Sequence, residues 1–180
     1  LMTFSYDGSN YNGYQKQPNK NTVQNKIEEA LKKITSKDIV IHSSGRTDSK
    51  VHALCAKAHF NLDKSMELNK LKKSINSLIP EDIYIKEIEG VDDNFHARFN
   101  VIEKKYLYKI NMGEYNPIER NYVYQFNKEL DITKIKEATE YLIGTHNFKA
   151  FTKTDITKED YRNQSIQNRR HHDCNSTGNG

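Results

Sequence analysis

Between residues 2 and 88 the apolar side chains change period in a fixed order, and that order restricts the chain to few sheet topologies. Residues 2 to 6 alternate as a strand does and stop at Asp7-Gly8, a turn signal. Val23, Ile27, Ala30, Leu31 and Ile34 then fall on one helical face behind Thr22, a residue placed to cap it. Asp38 to His42 reads as a second strand and Val51 to Leu62 as a third. Leu68, Leu71, Ile75 and Leu78 mark a second amphipathic helix that Pro80 closes, and Ile83, Ile85 and Ile88 form a fourth strand.

Strand, helix, strand, strand, helix, strand is the order of the split βαβ, or ferredoxin-like, unit. This is an α+β arrangement in which an antiparallel sheet carries two helices on one face. We assign it to residues 1–95. Val101 to Met112 and Tyr122 to Phe126 read as two further strands, and Ile132, Ile135, Leu142 and Ile143 line a helix stopped by Gly144. Residues 96–161 therefore read as an incomplete second α+β domain. From 162 to 180 only Ile166 and Cys174 are apolar, and a segment that buries so little cannot offset its ordering entropy, so a disordered polar tail is expected.

Composition adds limits. Of 180 residues 35% are hydrophobic and the mean hydropathy is -0.91, so any core must be thin and must use Ile, Leu and some of the 11 tyrosines. A net charge of +4 favours anionic partners weakly. With Cys55 and Cys174 alone, a disulfide framework is not expected and a reducing, cytoplasmic location is. No apolar run approaches the roughly 20 residues of a membrane span, and the first residues lack the form of a signal peptide. His171-His172-Asp173-Cys174 lacks the paired spacing of zinc sites, so no metal is expected.

The stretch Gly45-Arg46-Thr47-Asp48-Ser49-Lys50-Val51-His52-Ala53 sets a guanidinium and a carboxylate in a glycine-opened turn between two strand-like runs. Neither Arg46 nor Asp48 suits an apolar core. Read alone, the turn fits a ligand site or a solvated hairpin in which the two charges pair with each other.

The surrounding blocks decide between these. Together with Tyr6-Asp7-Gly8-Ser9-Asn10-Tyr11-Asn12-Gly13-Tyr14-Gln15 and Thr22-Val23-Gln24, the loop resembles the tRNA pseudouridine synthases that act on positions 38 to 40 of the anticodon arm. The similarity continues through Phe95-His96-Ala97-Arg98-Phe99, Lys105-Tyr106-Leu107-Tyr108 and Gly144-Thr145-His146-Asn147-Phe148-Lys149-Ala150-Phe151, over residues 2–161. The resemblance implies isomerisation of uridine to pseudouridine in the anticodon stem-loop, with tRNA as partner, no cofactor, and a homodimer. It implies Asp48 as the catalytic carboxylate, Tyr106 stacked on an everted uracil, and Arg46 in the vacated space against phosphate. A carboxylate is ionised near neutral pH and can attack ribose or base, or abstract a sugar proton; the residues do not choose among these. Lys104 and Lys105, with Lys70, Lys72 and Lys73, would line an RNA track or simply form solvated faces.

Three departures stand out. Ser49-Lys50 occupies the place of the family's common Ala-Gly, and Tyr14 that of a common tryptophan. The third is the end, where the text from Arg162 reads as a truncation or a shifted reading frame, which would remove a basic partner for the aspartate. A non-catalytic RNA-binding module and an inert fragment are therefore the competing readings.

Overall fold

The computed structural model describes residues 1–147 and 162–166. Two compact units result, Leu1–Tyr108 and a second that begins at Lys109. In the first unit β1 (Met2–Tyr6), β2 (His42–Ser43), β3 (Ala53–His59) and β4 (Ile83–Ile88) form an antiparallel sheet in the order β2-β3-β1-β4. Helix α1 (Val23–Thr35) joins β1 to β2, and α2 (Leu68–Asn76) joins β3 to β4. The unit is a mixed α/β structure built on one antiparallel sheet.

Alternation in β1 decides where the core sits. Met2, Phe4 and Tyr6 turn to the same side and are buried with Val23, Ile27, Ala30 and Leu31 of α1, Leu71 and Ile75 of α2, and Ile83 and Ile85 of β4. Each large apolar side chain buried this way contributes about 1.5–3 kcal/mol. Ile88 follows Ile85 by three residues because Phe4 pairs with Ile85 and Thr3 with Glu87, which leaves Lys86 as the extra residue of a bulge. A second irregularity lies across β1, where Phe4 faces Ala56 and Tyr6 faces Ala53.

Several sequence expectations are corrected here. The second strand does not occupy Asp38 to His42. The Ile41 N–H donates to Glu28 Oε1 at 3.2 Å and its carbonyl accepts from Gln24 Nε2 at 3.3 Å, so side chains of α1 take the groups a strand neighbour would have used. Thr22 occupies the N-cap position of α1 but makes no side-chain cap bond, and its hydroxyl is buried without a partner among the described residues. Gly13 and Tyr14 carbonyls accept the N–H groups of Val23 and Gln24 instead, at 3.4 and 3.0 Å. Helix α2 ends at Asn76, short of Leu78, which is exposed. Asn76 Oδ1 accepts the Ile85 N–H at 2.8 Å while Nδ2 donates to the Ile85 carbonyl at 3.0 Å.

In the second unit the expected strands shrink to β5 (Ile110–Asn111) and β6 (Tyr124–Gln125), paired in parallel. Val101 to Lys109 is rich in strand-forming side chains, yet Ile102, Leu107 and Tyr108 are exposed, and such residues without a covered face do not hold a strand. Helix α3 (Ile132–Glu140) begins at Asp131, whose carboxylate accepts the Lys134 N–H at 3.0 Å, and ends before Leu142 and Ile143. Gly144, at φ 109°, opens β7 (Gly144–Asn147), which pairs antiparallel with β8 (Arg162–Ile166). No apolar period marks β8; its pairing is carried by backbone, and the polar tail expectation is corrected over those five residues. Phe148 to Phe151 and the His171 to Cys174 cluster lie outside the described residues.

The Phe95 to Phe99 block is held beside β2 and β3 by ring contacts. The His59–His42 and His59–His96 centroids are 5.2 and 4.6 Å apart, and the Ala97 N–H donates to His59 Nδ1 at 3.1 Å. Burial, then His96 and His42, hold the His59 imidazole below its ordinary value of 6.5.

Two outcomes follow from these contacts. Asn76→Ala should destabilise the first unit by about 2 kcal/mol, the loss of two hydrogen bonds to one peptide, read by urea unfolding. Because the folded state of His59 binds protons less readily than the unfolded chain, stability is present above the ordinary histidine range and falls as the pH drops through it. Thermal midpoints at about pH 7.5 and 5.5 should differ more in the parent than in His59→Gln.

Candidate active site

Strand β1 delivers the chain into Asp7-Gly8, and the segment from Asp7 to Tyr14 forms a platform for the loop between β2 and β3. Two backbone carbonyls anchor it. The Tyr14 N–H donates to the Thr47 carbonyl at 3.0 Å, and the Lys50 N–H and Ser49 Oγ both donate to the Tyr11 carbonyl at 3.2 Å. Two glycines let the segments approach. A Cβ on Gly8 would lie 2.1 Å from the Val51 carbonyl oxygen, and one on Gly13, whose φ is 94°, would lie 2.8 Å from that of Thr47.

Side chains tie the same two segments. The Tyr6 and Thr47 hydroxyls are 2.8 Å apart. His52 Nδ1 stands 3.1 Å from the Gly8 N–H and 2.9 Å from Asp7 Oδ1. One nitrogen cannot serve both at once: as a lone pair it accepts from Gly8, and when protonated it donates to Asp7. Tyr11 donates its phenol to Asp82, and burial, then Asp82, push that phenol well above its ordinary value. Tyr14, the substitute for tryptophan, is buried against Phe4 and Tyr6 at centroid distances of 6.2 and 6.4 Å.

Against this fixed backbone, Asp48 and Arg46 are exposed, and neither charged group has a hydrogen bond or ion pair among the described residues. The self-paired hairpin is thus excluded. Lys104 comes alongside, its Nζ 3.7 Å from where a Cβ on Gly45 would sit. Tyr106 is 78% exposed in irregular chain two residues further on. The loop offers an exposed carboxylate and guanidinium with an ammonium beside them, and no group of three or more metal-ligating side chains occurs among the described residues.

A family model described as tRNA pseudouridine synthase matches residues 2–100, which include this whole loop and its platform. The chain belongs to the tRNA pseudouridine synthase family. It is 42% identical over 154 residues to tRNA pseudouridine synthase A of Limosilactobacillus reuteri, covering 83% of this chain and 60% of that protein. It is 43% identical over 161 residues to the protein of that name from Bacillus pumilus, covering 88% and 65%. With the Caldicellulosiruptor saccharolyticus protein, also named tRNA pseudouridine synthase A, the identity is 45% over 152 residues, covering 84% and 62%. The chain spans about 60 to 65% of the length of these curated relatives.

Within this tRNA pseudouridine synthase loop the Ser49-Lys50 departure leaves the left-handed turn in place. Lys50 adopts φ 64°, and the Val51 N–H reaches the Asp48 carbonyl at 3.3 Å, so Lys50 holds the position at which a type II turn demands positive φ. Sequence reading picked Asp48 and Arg46 but passed over Tyr6, Thr47 and Gly13 as site-builders. The available signal was Thr47 itself, a small polar residue between two charged ones. Replacing Lys50 by glycine should stabilise the protein by about 0.5–1 kcal/mol through relief of the left-handed strain, measured as a shift in denaturation midpoint.

Proposed function

We propose that the chain is a tRNA pseudouridine synthase that isomerises uridine in the anticodon stem-loop, with Asp48 as the catalytic nucleophile. The observation that carries this reading is the contrast at one residue, a backbone tied down on both sides and an exposed carboxylate with no partner among the described residues. Such a group is ready for an external electrophile and is held in place before it arrives. In the reaction the bond from C1′ to N1 breaks and one from C1′ to C5 forms, while the C5 proton is lost and N1 gains one. Nothing else is consumed.

A paired base is out of reach, so the target nucleotide must leave the stack at a cost of a few kcal/mol. Tyr106 would receive the uracil on its exposed ring, a contact worth about 1–3 kcal/mol, and Arg46 would fill the vacated space and meet phosphate. Lys104 beside Gly45 adds a further phosphate contact, salt-dependent and indifferent to sequence. The ferredoxin-like reading of the first unit belongs to the same proposal, supported by the order β2-β3-β1-β4 with one helix in each crossover. So do the division into residues 1–95, 96–161 and 162–180, the cytoplasmic location and the homodimer, which rest on the sequence and the family.

The test is to incubate purified protein with unmodified tRNA and map pseudouridine. The parent should form it in the anticodon arm, and Asp48→Asn should form none while binding tRNA within about threefold of the parent, since the substitution leaves the positive groups untouched. Product from Asp48→Asn removes the nucleophile assignment. Binding without product in the parent favours an RNA-binding module.

A further inference from the structure

Resting on that assignment of Asp48, we infer that the Tyr6–Thr47 hydroxyl pair is a positioning device that aims the Asp48 carboxylate out of the sheet. Thr47 is held at both its hydroxyl and its carbonyl. Its hydroxyl meets Tyr6 at 2.8 Å, its carbonyl accepts the Tyr14 N–H at 3.0 Å, and Gly13 packs against that carbonyl where any Cβ would clash. The side chain of Thr47 is thereby held toward Tyr6, while its neighbours stay free of such contacts among the described residues. Those neighbours are Arg46 and Asp48, both exposed.

Tyr6 is a suitable post. It is 6% exposed, belongs to the central strand, and has its ring stacked with Phe4 at 6.0 Å and close to Tyr14 at 6.4 Å. Its ring therefore has little freedom, and burial pushes its phenol above the ordinary value, so it stays protonated and able to donate. A core packing role would need only the ring. The hydroxyl has a different purpose: it connects the immobile centre of the sheet to the residue before the nucleophile.

The experiment compares Tyr6→Phe, Thr47→Val, the double variant and Thr47→Ser with the parent. Single-turnover pseudouridine formation, tRNA affinity and amide hydrogen exchange are measured on each. Tyr6→Phe and Thr47→Val should each slow the chemical step about 10- to 100-fold with affinity within about twofold. The double variant should be no slower than the worse single, because both remove the same bond, and Thr47→Ser should stay within about threefold of the parent. Independent, multiplicative losses in the double variant, or affinity falling in step with rate, overturn the inference. If the parent forms no product, the activity reading fails separately and the pair is judged by exchange. The Lys50 amide should then exchange about tenfold faster in both single variants while amides of β1 and β4 keep their protection. Unchanged exchange at Lys50 overturns the inference.

Discussion

The carbonyls of Gly13 and Tyr14 accept the first N–H groups of α1, and the site depends on that capping. Helix ends need such partners because their first N–H groups have none within the helix. The Thr22 hydroxyl does not supply one here, so a neighbouring loop does. That requirement fixes Tyr14, whose own N–H fixes Thr47, which precedes Asp48. A need of the helix thus sets the coordinates of a loop far away in sequence.

Rigid backbone and charge that is unpartnered among the described residues are divided along the loop in a way that suits the proposed catalysis. Holding a reactive group near its working geometry removes motion that the reaction would otherwise have to arrest. The platform meets this need with backbone hydrogen bonds, the Tyr6–Thr47 contact and the His52 imidazole between Gly8 and Asp7. Even the lysine in the left-handed turn keeps the hand that glycine would adopt.

Where the sequence was legible, one face was covered. The period-two pattern of Met2, Phe4 and Tyr6 and the helical face of Val23, Ile27, Ala30 and Leu31 correspond to buried side chains, so pattern and packing agree. The exposure of Asp48 and Arg46 was legible because charge in a turn has no packing use. Three things were not. Strand β2 lost residues to Glu28 and Gln24, side chains whose spacing marks an ordinary helix face. Leu107 and Tyr108 have strand propensity without burial, and a propensity carries no sign of whether a partner awaits it. Thr47 was missed because its role depends on an acceptor and donor in another segment, and its place between two charged residues does not name those partners.

The double hydrogen bond between Asn76 and Ile85 bears on how the molecule meets others of its kind. Strand β4 ends the four-stranded sheet, and an outer strand with open N–H and C=O groups is a template for intruding chains. At Ile85 both groups are already occupied by one amide side chain from the end of α2. An incoming strand would have to displace that amide before it could zip along β4, so the helix terminus works as a stopper against fibril growth at this rim.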